Sequence, residues 1–166
     1  MKDIVIKILK EIVPYVLIII VVLAIKRFVV SPIRVNGASM FPTLKNNDMM
    51  ILNETAYYFK KVKRFDIVVV DTKEELIIKR VIGLPGETIS YKDNILYIDG
   101  KKVKEKYSYG ITDDFDPITL KDEYFVMGDN RQNSADSRIY GAFKKKNIRG
   151  KTNLIIFPFD RMGKTS

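Results

Sequence analysis

The sequence has 166 residues, of which 46% are hydrophobic and 30% are charged, and this mixture fits one globular domain with an appendage. Histidine and cysteine are both absent, which excludes a Ser-His-Asp triad, a cysteine nucleophile, disulfide bonds and the usual zinc sites, and we expect neither a metal nor a cofactor. The net charge is +9 and the pI is near 9.6, so an anionic partner is favoured, although composition alone does not choose between nucleic acid and a lipid surface.

The first feature along the chain is an uncharged run of fourteen residues from Ile12 to Ile25, IVPYVLIIIVVLAI. As a helix this run covers only ~21 Å, against ~30 Å for the hydrocarbon core of a bilayer, but apolar residues on both sides lengthen it and flanking lysines can reach the headgroups. A buried core helix is disfavoured because the run is apolar on every face, and a cleaved signal peptide because bulky and charged residues follow it. We therefore expect residues 1–30 to form an uncleaved transmembrane anchor. Basic residues flank both ends, so its orientation does not follow from charge.

Residues 31–166 are predicted to be mainly β, because apolar runs rich in branched and aromatic residues recur between turn-forming residues. The predicted strands are 48–54, 65–71, 75–83, 123–129 and 152–159, and residues 94–103 are predicted to form a hairpin with Asp99 and Gly100 at its turn. The polar segment 104–122 departs from this pattern and is either a long loop or part of a small β insertion. The basic runs at 60–64 and 144–146 are predicted to be solvated faces, with contact to anionic lipid as the alternative in an anchored protein.

The stretch VNGASMFPTL, residues 35–44, places Ser39 between a glycine and a proline. If Ser39 is a nucleophile, the absence of histidine leaves Asp, Glu, Tyr or Lys as its base. Lysine is an effective base only when it is neutral, and burial among apolar groups lowers its pKa toward that state. The base required is therefore a lysine that lies among apolar neighbours.

Lys79 is a lysine of this kind, in the sequence LIIKRVIG. Strand alternation places Ile77, Lys79 and Val81 on one face of the strand and Ile78, Arg80 and Ile82 on the other. One of the two charges is therefore expected to face the interior, and Lys79 is the candidate base. The alternative is a lysine at a strand edge whose amine lies in water.

The stretch MGDNRQNSADSRIYG, residues 127–141, packs small polar and charged side chains closely together after an apolar strand. The alternatives are an exposed surface loop and an interlocked hydrogen-bond network. A network would suit the holding of an uncharged lysine amine, because a hydroxyl can accept from the amine and a buried Asp–Arg pair can brace the loop.

Three of these segments together resemble the signature boxes of bacterial type I signal peptidases: NGASMFPTL, IIKRVIGLPGE and MGDNRQNSADSR. Members of that family are membrane-anchored Ser/Lys proteases that remove signal peptides from exported proteins. The resemblance covers nearly all of the chain outside residues 104–122. It implies an antiparallel β catalytic core with a small inserted β subdomain, here around residues 90–122, preceded by one N-terminal transmembrane helix. The single anchor and short insertion are similar to the compact Gram-positive form.

The resemblance also implies roles for individual residues. Ser39 matches the nucleophile, Lys79 the general base, and Ser134 the hydroxyl that orients the lysine amine. The residues that match supporting positions of the site are Asp129, Arg80, Asp136 and Arg138, the last two as a stabilising pair. The residues that match the apolar lining of the substrate pockets are Ile33, Val35, Met40, Leu44, Ile77 and Ile78.

Two positions depart from the family pattern. Some members have a serine two residues before the nucleophile, whose hydroxyl contributes to the oxyanion hole, and this chain has Gly37 there. The hole would then rest on backbone N–H groups, chiefly that of Ser39, which leaves its second donor open. The other departure is Phe65, which precedes an aspartate at a position where the family usually has glycine.

The function implied by the resemblance is that of a serine endopeptidase that removes signal peptides from exported preproteins, cutting after small residues. Its partners would be signal peptides and the lipid bilayer, not nucleic acid. It would be a single-pass protein of the cell membrane, with its catalytic domain, residues 31–166, outside the cytoplasm. One alternative is a self-cleaving Ser/Lys regulator of the SOS-repressor kind, although such proteins carry a DNA-binding helix-turn-helix in place of an anchor. The other is a non-enzymatic anchored β domain that binds an anionic polymer.

Overall fold

A computed structural model describes residues 2–28 and 30–165, with side chains described within residues 6–8, 10–23 and 31–165. Helix α1 spans Lys2–Phe28 and contains Pro14. Every apolar side chain described on this helix is exposed, including those from Ile12 to Leu23. Within the described part of the chain, no helix has both the length and the apolar character required to cross a membrane.

After the helix, the chain folds mainly as antiparallel β-sheet. The strands of the larger sheet are β1 Val30–Arg34, β2 Met49–Asn53, β3 Ile67–Asp71, β4 Leu76–Gly83, β9 Glu123–Met127, β10 Phe143–Lys144, β11 Ile148–Phe157 and β12 Gly163–Lys164. Their order is β1-β2-β11-β3-β4-β9-β10, and β12 pairs with β11 outside this path. The last long strand, β11, therefore lies between two of the earliest, β2 and β3.

A smaller sheet is formed between β4 and β9 in the sequence. Its strands are β5 Thr88–Lys92, β6 Ile95–Ile98, β7 Lys101–Val103 and β8 Phe115–Thr119, in the order β7-β6-β5-β8. The predicted hairpin corresponds to β6 and β7. Helical structure after α1 is limited to α2, Ser137–Tyr140, and to 3-10 turns at Lys145–Asn147 and Phe159–Arg161 in the described residues.

Three apolar clusters form the core, and they cover both faces of the central strands. Val68 and Val70 of β3 pack in one cluster with Val81 of β4, whereas Ile67 of β3 packs in another with Met40. A third cluster joins the smaller sheet to the larger one; its buried members are Ile82, Ile89, Tyr91, Leu96, Ile98, Leu120, Phe125 and Met127. The core thus holds the two sheets together around β4, the strand that carries Lys79.

The prediction of a mainly antiparallel β protein is confirmed. The predicted strand at 152–159 begins earlier than expected, at Ile148. One charge of the Lys79–Arg80 pair was expected to face the interior, and in the structure both are buried, at 4% and 2% exposure. Strand alternation separates two faces, but from Lys79 to Gly83 every residue of β4 is buried.

Candidate active site

Ser39 lies in a loop between β1 and β2. The Val35 N–H donates to the Asp48 carbonyl (2.8 Å) and the Asn47 N–H donates to the Val35 carbonyl (2.9 Å), which closes the base of the loop. Gly37 has a φ of 87°, in the left-handed region that glycine adopts without strain. These constraints hold Ser39 just beyond the end of β1.

Lys79 reaches the Ser39 hydroxyl from β4. Its Nζ donates to Ser39 Oγ over 2.7 Å, although the two residues are forty positions apart in the sequence. Burial lowers the pKa of Lys79 to about 8, against the raising effects of the Asp136 and Glu75 carboxylates. With that pKa, on the order of one tenth of the molecules carry a neutral lysine at pH 7. The arrangement therefore supplies an amine that can accept a proton from the adjacent hydroxyl.

The loop that follows β9 lies directly against the Ser39 backbone. The Asn130 N–H donates to the Ser39 carbonyl (3.0 Å), and Asn130 Nδ2 donates to the Ala38 carbonyl (3.1 Å). Gly128 passes so close that a Cβ there would lie 2.4 Å from the Ser39 carbonyl oxygen and 2.3 Å from Ser134 Oγ. The loop can take this path only because residue 128 has no side chain.

Asp136 is the centre of the hydrogen-bond network in this loop. It is fully buried and accepts from the Gly128 N–H (2.9 Å), from Ser134 Oγ (2.7 Å) and from the Arg138 guanidinium (2.8 and 2.9 Å). Burial acts to raise the pKa of Asp136, but these hydrogen bonds and the Arg138 charge outweigh it, so the pKa lies below its ordinary value. Asp136 is therefore a permanently charged brace.

Ser134 was expected to hold the lysine amine. In the described residues its hydroxyl donates to Asp136, and the hydrogen bond that Lys79 makes goes to Ser39 instead. The structure therefore places Ser134 and Ser39 both against Gly128, without a direct hydrogen bond between Ser134 and Lys79.

A second buried ion pair lies next to the first. Arg80 donates to both carboxylate oxygens of Asp129, each over 2.7 Å, and this bidentate pair is inaccessible to water. Thr43, from the Ser39 loop, donates to the same carboxylate over 2.5 Å. Because Arg80 follows Lys79 directly on β4, the pair ties Lys79, the Ser39 loop and the loop after β9 to one another.

Phe65 takes a backbone conformation that favours glycine. Its φ is 67°, which is uncommon for a residue with a side chain. Its carbonyl accepts from Arg80 Nη1 (2.9 Å), and its N–H donates to the Val81 carbonyl (2.8 Å). The departure from glycine at this position thus concerns a strained turn beside the Arg80–Asp129 pair.

A cleft of about 300 Å³ opens beside the Ser39 hydroxyl and the Lys79 amine. Four of the six predicted substrate-pocket residues line it: Val35, Met40, Ile77 and Ile78. Ile33 and Leu44 do not; both pack with the core cluster behind the cleft, and Leu44 is fully buried. The charged residues Arg34 and Glu75 also line the cleft, and neither belongs to a motif that would predict this position.

Gly37 is not arranged as an oxyanion donor. Its N–H donates to Asn46 Oδ1 over 2.9 Å and is therefore occupied. Among the described residues, by contrast, the Ser39 N–H has no protein acceptor. The geometry thus leaves the Ser39 N–H available and does not identify a second donor.

Sequence reasoning missed a buried cluster that joins the smaller sheet to the loop. Arg131 forms an ion pair with Glu105 and donates to Tyr91 Oη (2.7 Å), to Thr112 Oγ1 (2.9 Å) and to the Gly128 carbonyl (3.1 Å). Arg131 stands within the MGDNRQNSADSR stretch, but its partners come from segments with no motif of their own. Glu105 lies in the polar segment 104–122, where the many other charged residues hide it.

The chain is similar to known proteins over most of its length. Residues 6–157 match the family described as signal peptidase, peptidase S26. A signal peptidase I from Bacillus amyloliquefaciens is 45% identical over 164 residues, covering 90% of this chain and 89% of the relative. Signal peptidase I S from Bacillus subtilis strain 168 is 42% identical over 162 residues, covering 89% and 88%. The crystal structure of a signal peptidase I from Enterococcus faecalis is 36% identical, with a TM-score of 0.51, covering 55% of this chain and 97% of that one.

The family match spans most of the chain, and the relatives exceed 40% identity over nearly their whole length. The chain therefore belongs to the S26 signal peptidases and, within them, to the bacterial type I enzymes. It is a hydrolase, and its activity is the removal of signal peptides.

Proposed function

We propose that this activity is carried by Ser39 as nucleophile and Lys79 as general base. The observation that supports the proposal most directly is the 2.7 Å hydrogen bond between a 4%-exposed lysine amine and the Ser39 hydroxyl. The lowered pKa of Lys79, which its burial causes, adds to that support.

In the proposed reaction, neutral Lys79 takes the proton from Ser39 Oγ while that oxygen attacks the carbonyl carbon before the cut. The tetrahedral oxyanion is stabilised by the Ser39 N–H. The lysine ammonium then protonates the leaving amine, and the new N-terminus departs. Water, deprotonated by the same lysine, hydrolyses the acyl-serine and restores both groups.

The neighbouring ion pairs are proposed to position this dyad. Asp136, with Ser134 and Arg138, fixes the loop that lies against the Ser39 backbone, and the Arg80–Asp129 pair fixes β4 against the Ser39 loop. Neither pair contacts the reacting atoms in the described geometry. Their role is to keep the lysine amine and the serine hydroxyl at hydrogen-bonding distance.

We further propose that Val35, Met40, Ile77 and Ile78 select small residues before the cut, with Ile33 and Leu44 supporting them from the core. These side chains are bulky and apolar and crowd the cleft beside Ser39. A methyl group fits such a shallow pocket, whereas a long side chain does not. The substrate would lie extended, with its backbone hydrogen-bonded along a strand edge.

Residues 1–30 are proposed to anchor the enzyme in the cell membrane as a single span, with residues 31–166 as the catalytic domain outside the cytoplasm. The support is the uncharged run from Ile12 to Ile25 and the exposure of its described apolar side chains on α1. The orientation follows from the exported substrates that the family processes. Signal peptides and the bilayer would then be its partners, and residues near 90–122 would form the inserted β subdomain.

The dyad can be tested by preprotein cleavage with purified variants. Ser39→Ala is expected to abolish cleavage because it removes the attacking hydroxyl. Lys79→Arg is expected to abolish cleavage because a guanidinium cannot lose its proton at usable pH. For the wild type, kcat/KM is expected to rise with pH and to level off above about 8, as the lysine of the free enzyme becomes neutral.

Lys92→Arg provides a matched control, because Lys92 is also a strand lysine but is exposed on β5. This variant should cleave normally with an unchanged pH profile. A Lys79→Arg enzyme that retained activity would exclude lysine as the base, whatever the outcome for Ser39→Ala.

A further inference from the structure

Exposed aromatic and basic residues meet on a surface that the catalytic site does not use. Phe59 is 97% exposed and Tyr58 is 72% exposed, on the loop after β2. Lys145 and Lys146 lie on the 3-10 turn before β11, and Arg149 lies at the start of that strand. We refer to these five residues as the aromatic–basic surface.

A cavity of about 750 Å³ opens within this surface, lined by Glu54, Tyr57, Tyr58, Lys145, Lys146 and Arg149. Its acidic member is already engaged, because Glu54 accepts from the Ser31 hydroxyl over 2.7 Å. Arg149 is partly neutralised by Asp71 at 2.6 Å. Among the described residues, neither Lys145 nor Lys146 has a carboxylate within salt-bridge distance. The cavity therefore presents the ammonium groups of Lys145 and Lys146 beside the exposed ring of Tyr58, and Phe59 follows Tyr58 in the sequence.

The surface lies at the end of the sheet that joins helix α1. Strand β1 begins at Val30, two residues after the last residue of α1, and Val30 pairs with Asn53 at the end of β2. The loop that bears Tyr58 and Phe59 follows directly after Asn53. The Ser31–Glu54 hydrogen bond then links the start of β1 to the wall of the cavity. A bilayer that contained α1 would therefore meet this surface first.

We propose that the aromatic–basic surface binds the phosphate headgroups of anionic phospholipids, with Phe59 inserted among the acyl chains and Tyr58 at the headgroup level. Tyrosine and other aromatic side chains favour the membrane interface, and basic residues near an anionic leaflet are attracted to it. Aromatic and basic residues also bind single-stranded nucleic acid, but that ligand gives no reason for the surface to adjoin an apolar helix. The inference rests on the proposed membrane anchor and adds a lipid class and a site to it.

The chain contains no tryptophan, so Phe59→Trp places a single fluorescent probe on the surface. The full chain with this substitution would be reconstituted into vesicles of phosphatidylcholine, with and without phosphatidylglycerol. In the anionic vesicles we expect emission shifted to the blue and strong quenching by lipids brominated on their acyl chains. In phosphatidylcholine alone, both effects should be much weaker.

Lys145→Gln with Lys146→Gln, made in the Phe59→Trp background, tests the cavity. Each basic residue near an anionic surface contributes a factor of roughly five, so the pair should lower the ratio of inserted to solvated loop by about twenty-five-fold. The matched control is Lys101→Gln with Lys102→Gln, an adjacent exposed pair on β7, which should leave the ratio unchanged. Both double variants should cleave preprotein normally in detergent, because neither lysine pair lies near Ser39 or Lys79.

Several results would overturn the inference. Equal quenching in both kinds of vesicle would show that the anionic headgroup is not recognised. An effect of the control pair equal to that of Lys145 and Lys146 would show that the cavity is not the binding site. Displacement of the loop from anionic vesicles by millimolar glycerol phosphate would identify a site for free phosphate instead of lipid. A blue shift with single-stranded DNA but not with vesicles would identify a nucleic-acid surface. Loss of cleavage in Ser39→Ala is scored separately, so the dyad and the lipid site can fail independently.

Discussion

Lys79 has an environment that suits its proposed role as a base and lowers the stability of the folded protein. The residue is buried, its pKa is lowered from 10.5 to about 8, and its partner is a neutral hydroxyl and not a carboxylate. Below pH 8 the folded protein therefore holds an ammonium group that would be better solvated in the unfolded chain. Functional sites commonly carry costs of this kind.

Lys79→Met should consequently stabilise the protein while abolishing cleavage. Between pH 8 and 10.5 the unfolded chain binds a proton that the folded protein does not, so wild-type stability rises with pH across that window. At pH 7 the free energy of unfolding of Lys79→Met should exceed that of wild type by up to about 3 kcal/mol. Urea denaturation at a series of pH values measures this difference, which should shrink from pH 8 upward. A variant less stable than wild type at pH 7 would show that the burial cost is absent.

Gly128 tests the contact between the Ser39 backbone and the loop after β9. In Gly128→Ala, the new Cβ meets the Ser39 carbonyl and the Ser134 hydroxyl, and the backbone must move because neither is a flexible chain end. A displacement near 1 Å at a reacting group costs on the order of a hundredfold in rate, so kcat should fall by about that factor. Gly86→Ala serves as a comparison. A Cβ at Gly86 would meet open space, but the φ of 86° makes alanine strained, so this variant shows the effect of backbone strain without a steric contact. Unchanged kcat in Gly128→Ala would mean that the loop moves freely against Ser39.

Among the elements of the fold, the smaller sheet is connected by a buried ion pair to the loop after β9, which lies against Ser39. The Arg131–Glu105 pair is buried, and Tyr107 and Tyr109, from the same segment as Glu105, extend the contact. Tyr107 stacks under the Arg80 guanidinium at 3.9 Å, and Tyr109 exchanges backbone hydrogen bonds with Asp129 and Arg131 (2.7 and 3.0 Å). The segment is therefore a part of the support of the site.

Removal of one member of this pair should be costly. Arg131→Met leaves the Glu105 carboxylate buried without its partner, and such losses cost about 3–5 kcal/mol of stability. The double variant Arg131→Met with Glu105→Leu should recover much of that loss, because no unpaired charge remains. Denaturation of the two single variants and the double variant provides the cycle. Losses that simply add would show that the two residues act independently.

The elements themselves were largely predictable, and their contacts were not. Strands such as 65–71 and 75–83 are recognisable because each carries a local run of branched apolar residues between turns. The burial of both Lys79 and Arg80 could not be read from β4 alone, since it depends on which later segments cover each face. Likewise, Ser39, Lys79 and Ser134 followed from motifs, but the Arg131–Glu105 contact joins residues with no shared pattern. Ile33 and Leu44 pack in the core behind the cleft, and the sequence could not separate them from the lining residues because an apolar residue near Ser39 serves the core equally well.

For the whole molecule, the cleft predicts which preproteins are processed. A series varied at the residue before the cut, and two residues earlier, should show processing with Ala, Gly or Ser and stalling with Leu or Phe. The physical reason is that one cleft of about 300 Å³, lined by Ser39 and Lys79, would have to hold the side chains of both varied residues. Processing rates measured at equal preprotein concentration decide the point. Leucine handled as fast as alanine would mean that the cleft opens further than its described shape.

The position of β11 sets the order in which a newly made chain becomes a protease. Residues 148–157 supply the strand between β2 and β3, so the larger sheet cannot close while they are still inside the ribosome. The loop that lies against the Ser39 backbone also emerges late, long after the serine itself. Ser39 therefore leaves the ribosome well before the segments that complete its surroundings, and the proposed Ser39–Lys79 dyad can act only after residue 157 has emerged.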